Sequence, residues 1–182
     1  MNFLLTGKLC YLRILTVEDA EEMVQLLVRN KEYWAIFEPK HRDSYFTAAV
    51  QREKIRESIY QARENREYSF GVFENGSDKL IGHISMYSIK RLPFLSALVG
   101  YSVDESYIGR GIATEAVKLI VSFGFEKIQL HRIEAYVSPR NTGSVRVLEK
   151  AGFENEGLLK EFLHINGVWE DHYHYAMLEK DF

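Results

Sequence analysis

Apolar positions recur along this chain with two periods, and the switches between them mark out its elements. Over residues 8–15 (KLCYLRIL) they alternate, as in a half-buried strand. Thr16 with Asp19 three positions on reads as a capping box. Ala20, Met23, Val24, Leu26 and Leu27 then share one side of a helix that ends near Asn30. Residues 31–45 keep neither period: Tyr33, Trp34, Phe37 and Tyr45 surround Glu38-Pro39 in an irregular segment. Loop aromatics of this kind suit a ligand wall or core anchoring. Val50, Ile55 and Ile59 mark the inner side of a second helix over 47–65, whose many charges indicate a solvated face.

The second half reads the same way. Residues 68–74 and 79–87 alternate as strands joined by Asn75-Gly76-Ser77-Asp78, a hairpin signal. A turn around Pro93 leads into an apolar strand over 96–103, and an amphipathic helix opens after Gly109-Arg110-Gly111. Residues 132–137 alternate again, Asn141 caps a short helix through Lys150, and Gly152 stops it. Residues 153–164 and 169–178 form a last hairpin around Asn166-Gly167. The expected order is β-α-α-β-β-β-α-β-α-β-β, an α/β chain with one mixed sheet. With no internal repeat or linker, residues 1–182 read as a single domain.

Composition narrows the class. Of 182 residues, 46% are hydrophobic and 27% charged, which is a globular composition rather than a disordered one. A net charge of -3 gives no basic surface for nucleic acid or acidic lipid. The lone cysteine, Cys10, sits in an apolar strand and reads as a buried thiol in a reducing compartment. The opening MNFLLTGKLC lacks the basic flank of a signal peptide, and no apolar run is long enough to span a bilayer. These features point to a cytoplasmic chain without a membrane partner.

The stretch over 103–121 (VDESYIGRGIATEAVKLIV) carries the chemistry. Two glycines one residue apart let the backbone approach a ligand closely. The helix that follows leaves its first N–H groups unpartnered and places about half a positive charge there, which suits a phosphate. Arg110 adds a full charge beside it. The third glycine of a dinucleotide fingerprint is missing, and no P-loop is present. The stretch resembles the pyrophosphate loop, [QR]-x-x-G-x-[GA], of the GNAT superfamily of acyl-CoA N-acyltransferases: Gly111 and Ala113 match, and Ile108 stands where Gln or Arg is usual. A second match joins Asn141-Thr142-Gly143-Ser144 to residues 147–153 (VLEKAGF), similar to N-x-x-[SA]-x-x-x-[YL]-E-K-x-G-F. The element order also suits the GNAT fold. Within the superfamily the chain looks like the RimJ/RimL type, through residues 34–39 (WAIFEP) and the tail over 156–175 with Gly157, Lys160, Gly167, Trp169 and Asp171.

The resemblance implies transfer of an acetyl group from acetyl-CoA to a primary amine by direct attack. It puts the pyrophosphate on the amides of Ile108, Gly109, Arg110, Gly111, Ile112 and Ala113. The pantetheine arm falls to the backbone of Tyr101, Ser102 and Val103 and to the side chain of Asn141, with a strand amide near Val103 as oxyanion donor. Ser144 falls where this type carries the serine that donates to the leaving thiolate, with Tyr136 and Tyr175 as alternatives. Glu134 ranks first as base, ahead of Glu38, and Glu161 is a third candidate. His172 and His174, with Asp171 nearby, lack a third ligand at zinc-like spacing and read as structural, so no metal is expected. The RimJ/RimL type acts on the N-terminal amine of ribosomal proteins, and relatives of the same build act on polyamines, aminoglycosides and other small amines. The chain is expected as a monomer or homodimer, and a GNAT fold that binds acyl-CoA without turnover is the outlying alternative.

Overall fold

The computed structural model describes residues 3–182. Its centre is an eight-stranded mixed sheet with the order β1-β2-β3-β4-β5-β6-β8-β7. The strands are β1 (Leu4–Thr6), β2 (Cys10–Ile14), β3 (Tyr68–Glu74), β4 (Leu80–Lys90), β5 (Ser96–Val103), β6 (Arg132–Val137), β7 (Glu154–Ile165) and β8 (Val168–Leu178). The helices are α1 (Ala20–Arg29), α2 (Lys31–Trp34), α3 (Ala48–Arg63), α4 (Ile112–Glu126) and α5 (Thr142–Ala151). Two of these elements are additions to the sequence reading. The edge strand β1 is three residues long, too short for a period to show. The single turn α2 lies inside the segment read as irregular.

Local chemistry explains the boundaries. The Asp19 carboxylate accepts the Thr16 N–H at 2.7 Å and holds Arg13 at 2.6 Å, so the capping box forms. It opens a short 3-10 turn that runs into α1 rather than α1 itself. The Asn141 side chain accepts the Ser144 N–H at 3.0 Å to start α5, and Gly152, with φ of 103°, ends it in the left-handed region.

Helix α4 covers one face of the sheet, burying Ile112, Ala116, Val117, Ile120 and Phe123 among Leu12, Phe70, Ile84, Val99 and Ile133. Helix α1 covers the opposite face, with Met23, Leu26 and Leu27 against Trp34, Phe73 and Leu80. Each Val, Leu, Ile, Phe or Met side chain among these contributes about 1.5–3 kcal/mol on burial.

One irregularity of the sheet positions everything that follows. Every strand pair is antiparallel except β5 and β6, which run parallel and pair only over Ser96↔Arg132, Ala97↔Ile133 and Leu98↔Glu134. Beyond Leu98 the two strands part while β6 stays with β8. The C-terminal half of β5 therefore has a partner on one side only.

Candidate active site

The parted edge determines which backbone groups of β5 are free. Asp104 donates its N–H to Ile81 at 2.8 Å, and the register pairs Ser102 with His83. Antiparallel bonding alternates, so Ser102 and Asp104 bond to β4 while Tyr101 and Val103 turn their N–H groups to the gap. The Val103 carbonyl accepts the Trp34 indole N–H at 3.2 Å, which leaves its own N–H facing the opening. Of the three residues expected to present backbone to a pantetheine arm, Tyr101 and Val103 have N–H groups that face the gap. Ser102 has its backbone in the sheet and contributes its hydroxyl instead.

The turn after β5 is fastened to α1. Arg29 Nε lies 2.5 Å from the Asp104 carboxylate, and the Asn30 side chain accepts the Glu105 N–H at 2.9 Å. Burial alone would raise the Asp104 carboxyl, but Arg29 and Ser106 hold it below the ordinary value. From this anchor the chain passes through Gly109 and Gly111, with φ of 75° and 84°, a region that favours glycine. Within α4 the first internal bond is Glu115 N–H to Gly111, at 3.0 Å. The N–H groups of Ile112, Ala113 and Thr114 remain for a ligand.

These groups face a cavity of about 420 Å³ lined also by Tyr107, Ile108, Gly109 and Gly111, and by Asn141, Ser144, Arg146 and Lys150 of the α5 segment. Arg110 does not line it: its guanidinium lies 4.9 Å over the Tyr107 ring. The cations at the cavity are Arg146 and Lys150, which have no acidic partner among the described residues. Sequence reasoning missed them. The available signal was their i, i+4 spacing on a helix whose apolar side is Val147, Leu148 and Ala151.

A second cavity, also about 420 Å³, opens on the sheet face between β4, β5 and β6. Phe37, Glu38, Tyr101, Ser102, Asn141 and Ser144 line both. Asn141 Oδ1 is engaged as helix cap, which leaves its amide nitrogen toward the cavities. The Ser144 carbonyl accepts the Tyr101 hydroxyl at 3.2 Å, tying α5 to β5, and the serine sits in the first turn of α5 where the helix dipole favours negative charge.

Glu38 accepts a hydrogen bond from the Ser102 hydroxyl. Burial pushes its carboxyl above the ordinary glutamate value, outweighing the opposing effects of Ser102 and His41. A third cavity of about 280 Å³ reaches the same carboxyl from the side of Tyr45 and Phe46. His83 stands between the last two cavities, its ring edge-on to Trp34 at 5.3 Å. Burial, with Lys54 adding, pushes its imidazole down to about 4, so it is neutral at physiological pH. Nothing in the sequence marked His83.

The other expected residues lie elsewhere. Glu134 faces Arg132 at 3.0 Å and His174 at 2.9 Å and lines none of these cavities. It is engaged by Arg132 on its own strand and by His174 across on β8, and the structure does not bring it to Ser144. Glu161 is exposed in a bulge of β7, its N–H on Asp171 at 2.8 Å. Tyr175 is buried, with its hydroxyl toward Glu149 at 3.3 Å, whereas Tyr136 lines the second cavity. Among the described residues, no cluster of three or more His, Cys, Asp or Glu side chains is placed to hold a metal ion.

Residues 10–154 match the family described as Acetyltransferase (GNAT) domain. The chain is 45% identical over 178 residues to the probable N-acetyltransferase YjcK of Bacillus subtilis, covering 98% of both. The solved ribosomal-protein-S5-alanine acetyltransferase of Vibrio fischeri superposes with a TM-score of 0.92 at 33% identity, covering 100% of this chain and 98% of that one. Mycobacterium smegmatis RimJ, solved in complex with CoA-disulfide, gives a TM-score of 0.89 at 30% identity, with 98% and 86% covered.

Proposed function

The chain belongs to the GNAT acetyltransferase family and is an acetyl-CoA-dependent N-acetyltransferase, and on that premise we propose that its acceptor is the N-terminal amine of a protein, alanine or similar. The observation that carries this reading is the meeting of two cavities at Glu38, Asn141 and Ser144. One cavity is built for an anion and an extended arm. The other has two carboxylates, Glu38 and Glu67, and no Lys or Arg among the described residues of its lining. It suits an amine, and the relative that superposes at 0.92 acts on ribosomal protein S5 alanine.

The residues present fit acetyl-CoA. The free N–H groups of Ile112, Ala113 and Thr114, with Arg146 and Lys150, would take its phosphates. Tyr101 would bond a pantetheine amide as a missing strand does, with the Asn141 amide beside it. The Val103 N–H is the donor for the oxyanion. Glu38 takes the proton of the attacking amine, directly or through water, in place of Glu134. A terminal α-amine, with a reference pKa of about 7.7–8.0, is already partly neutral near pH 7 and asks little of that base. Ser144, at the positive end of α5, donates to the departing thiolate.

The test is thiol release from acetyl-CoA with an alanine-starting ribosomal peptide, beside the same peptide with a blocked N-terminus. Release with the free peptide alone supports the reading. A second reading is favoured by the presence of both Glu38 and Glu67 in the lining of one cavity, which suits a small diamine. Release with a polyamine and not with the peptide would move the assignment there. A cytoplasmic location accords with either acceptor.

A further inference from the structure

The hairpin between β7 and β8 turns on two residues, Asn166 and Gly167, with φ of 51° and 93° between the paired Ile165 and Val168. This is the left-handed two-residue turn for which Asn-Gly is favoured. The turn accounts for the backbone of Asn166 but not for its side chain. The amide nitrogen donates to the Ala35 carbonyl at 3.0 Å and to the Glu38 carbonyl at 3.2 Å, and the amide oxygen accepts the Lys40 N–H at 2.8 Å. One asparagine thus makes three bonds to a segment more than 120 residues away in sequence, on both sides of Glu38.

The segment needs such a fastening. Before Lys40 its regular structure is the single turn α2, extended by the Phe37 and Glu38 N–H groups bonding to the Trp34 carbonyl. The Trp34 indole holds it to β5 at one end, and the Ser102 hydroxyl holds the Glu38 carboxylate. Without a third point the peptide carrying Glu38 could swing about Trp34.

Resting on the reading of Glu38 as base, we propose that Asn166 is a positioning residue for catalysis. Its side chain clamps residues 35–40 so that the Glu38 carboxylate stays at the junction of the two cavities. It touches neither substrate. The hairpin tip is thereby part of the active-site scaffold, although it lies on the far edge of the sheet.

The test uses Asn166→Gly, which keeps the turn conformation and removes all three bonds, and Asn166→Asp, which keeps only the acceptor. Turnover is measured with the alanine-starting peptide, or with the panel amine acetylated fastest. Both variants should bind acetyl-CoA within about twofold of wild type and lose at least about tenfold in kcat. The acid limb of the pH profile should move to lower pH as Glu38 gains access to water. Exchange of the Lys40 amide should quicken in Asn166→Gly, a readout that needs no acceptor. In a double-variant cycle, Asn166→Gly added to Glu38→Gln should cost nothing further.

Wild-type kcat and an unmoved acid limb in Asn166→Gly would overturn the proposal, as would a loss that adds fully to that of Glu38→Gln. If Glu38→Gln alone turned over normally, the base assignment would fall and the catalytic role of Asn166 with it. Lys40 exchange would then report the clamp by itself.

Discussion

Glu38 holds its proton to higher pH than an ordinary glutamate because burial outweighs the Ser102 hydrogen bond. Two consequences follow, with opposite signs for rate and stability. As the proposed base it would work only when ionised, so kcat should rise with pH through a limb above the usual glutamate range. For stability, the native state keeps a proton that the unfolded chain has already released between the ordinary and the raised value. Stability from this group is therefore present below the ordinary value and lost as pH rises through the native one. Glu38→Gln should abolish the limb and lower kcat by about 10²–10⁴, the usual range for a general base. Urea unfolding near neutral pH should find it at least as stable as wild type. A variant both slow and destabilised would mean that Glu38 holds the loop rather than the proton. Ser144→Ala should lower kcat and leave acetyl-CoA affinity nearly unchanged, as calorimetry beside steady-state kinetics would show; normal turnover would remove Ser144 from the mechanism.

At the scale of elements, the site depends on how closely β4 approaches β5. A Cβ built on Gly82 would lie 2.6 Å from the Ser102 carbonyl oxygen and 3.2 Å from the Val103 Cα, both backbone atoms that cannot rotate away. Gly82→Ala should displace β5 at Val103, costing about 1–3 kcal/mol in chemical denaturation. It should also raise KM for acetyl-CoA, because the Val103 N–H moves with the strand. Unaltered stability and kinetics would mean that β5 has slack there. Nothing in the sequence marks Gly82, since the neighbouring strand becomes visible only once the chains are paired. The elements themselves were legible because their apolar periods are long and their caps chemically plain: Thr16 with Asp19, Asn141, Gly152, Asn166-Gly167. The glycine turn that opens α4 was legible for the same reason, its signal being local. What escaped were contacts across the fold. Glu134 meets His174 only once β6 and β8 pair, whereas Arg132, two positions back on the same strand face, was within reach of the period-two pattern. The side chain of Asn166 is the converse case, a local turn residue whose three bonds are all distant.

For the whole molecule, two architectural facts converge: a sheet that parts beyond Leu98, and two helices whose N-termini face the opening. Neither alone makes a site. The parted edge leaves N–H groups without partners, and α4 and α5 supply positive potential and two cations where a phosphorylated ligand can reach them. Filling the gap should couple β5, α4 and α5, so binding should appear as global stabilisation. At a hundredfold excess over its Kd, CoA should add about 2.7 kcal/mol to the unfolding free energy. At roughly 2–4 °C per kcal/mol for a chain of this size, Tm should rise by about 5–10 °C. Arg146→Ala with Lys150→Ala should weaken CoA by about tenfold or more, since a hydrogen bond to a charged group contributes about 1.5–3 kcal/mol. The deficit should shrink in high salt, because both side chains are exposed and their field is screened. Arg110→Ala should change the affinity far less, its guanidinium lying on Tyr107. If instead Arg110→Ala abolished the thermal shift and the α5 pair kept it, the phosphates would bind on the other side of the glycine turn.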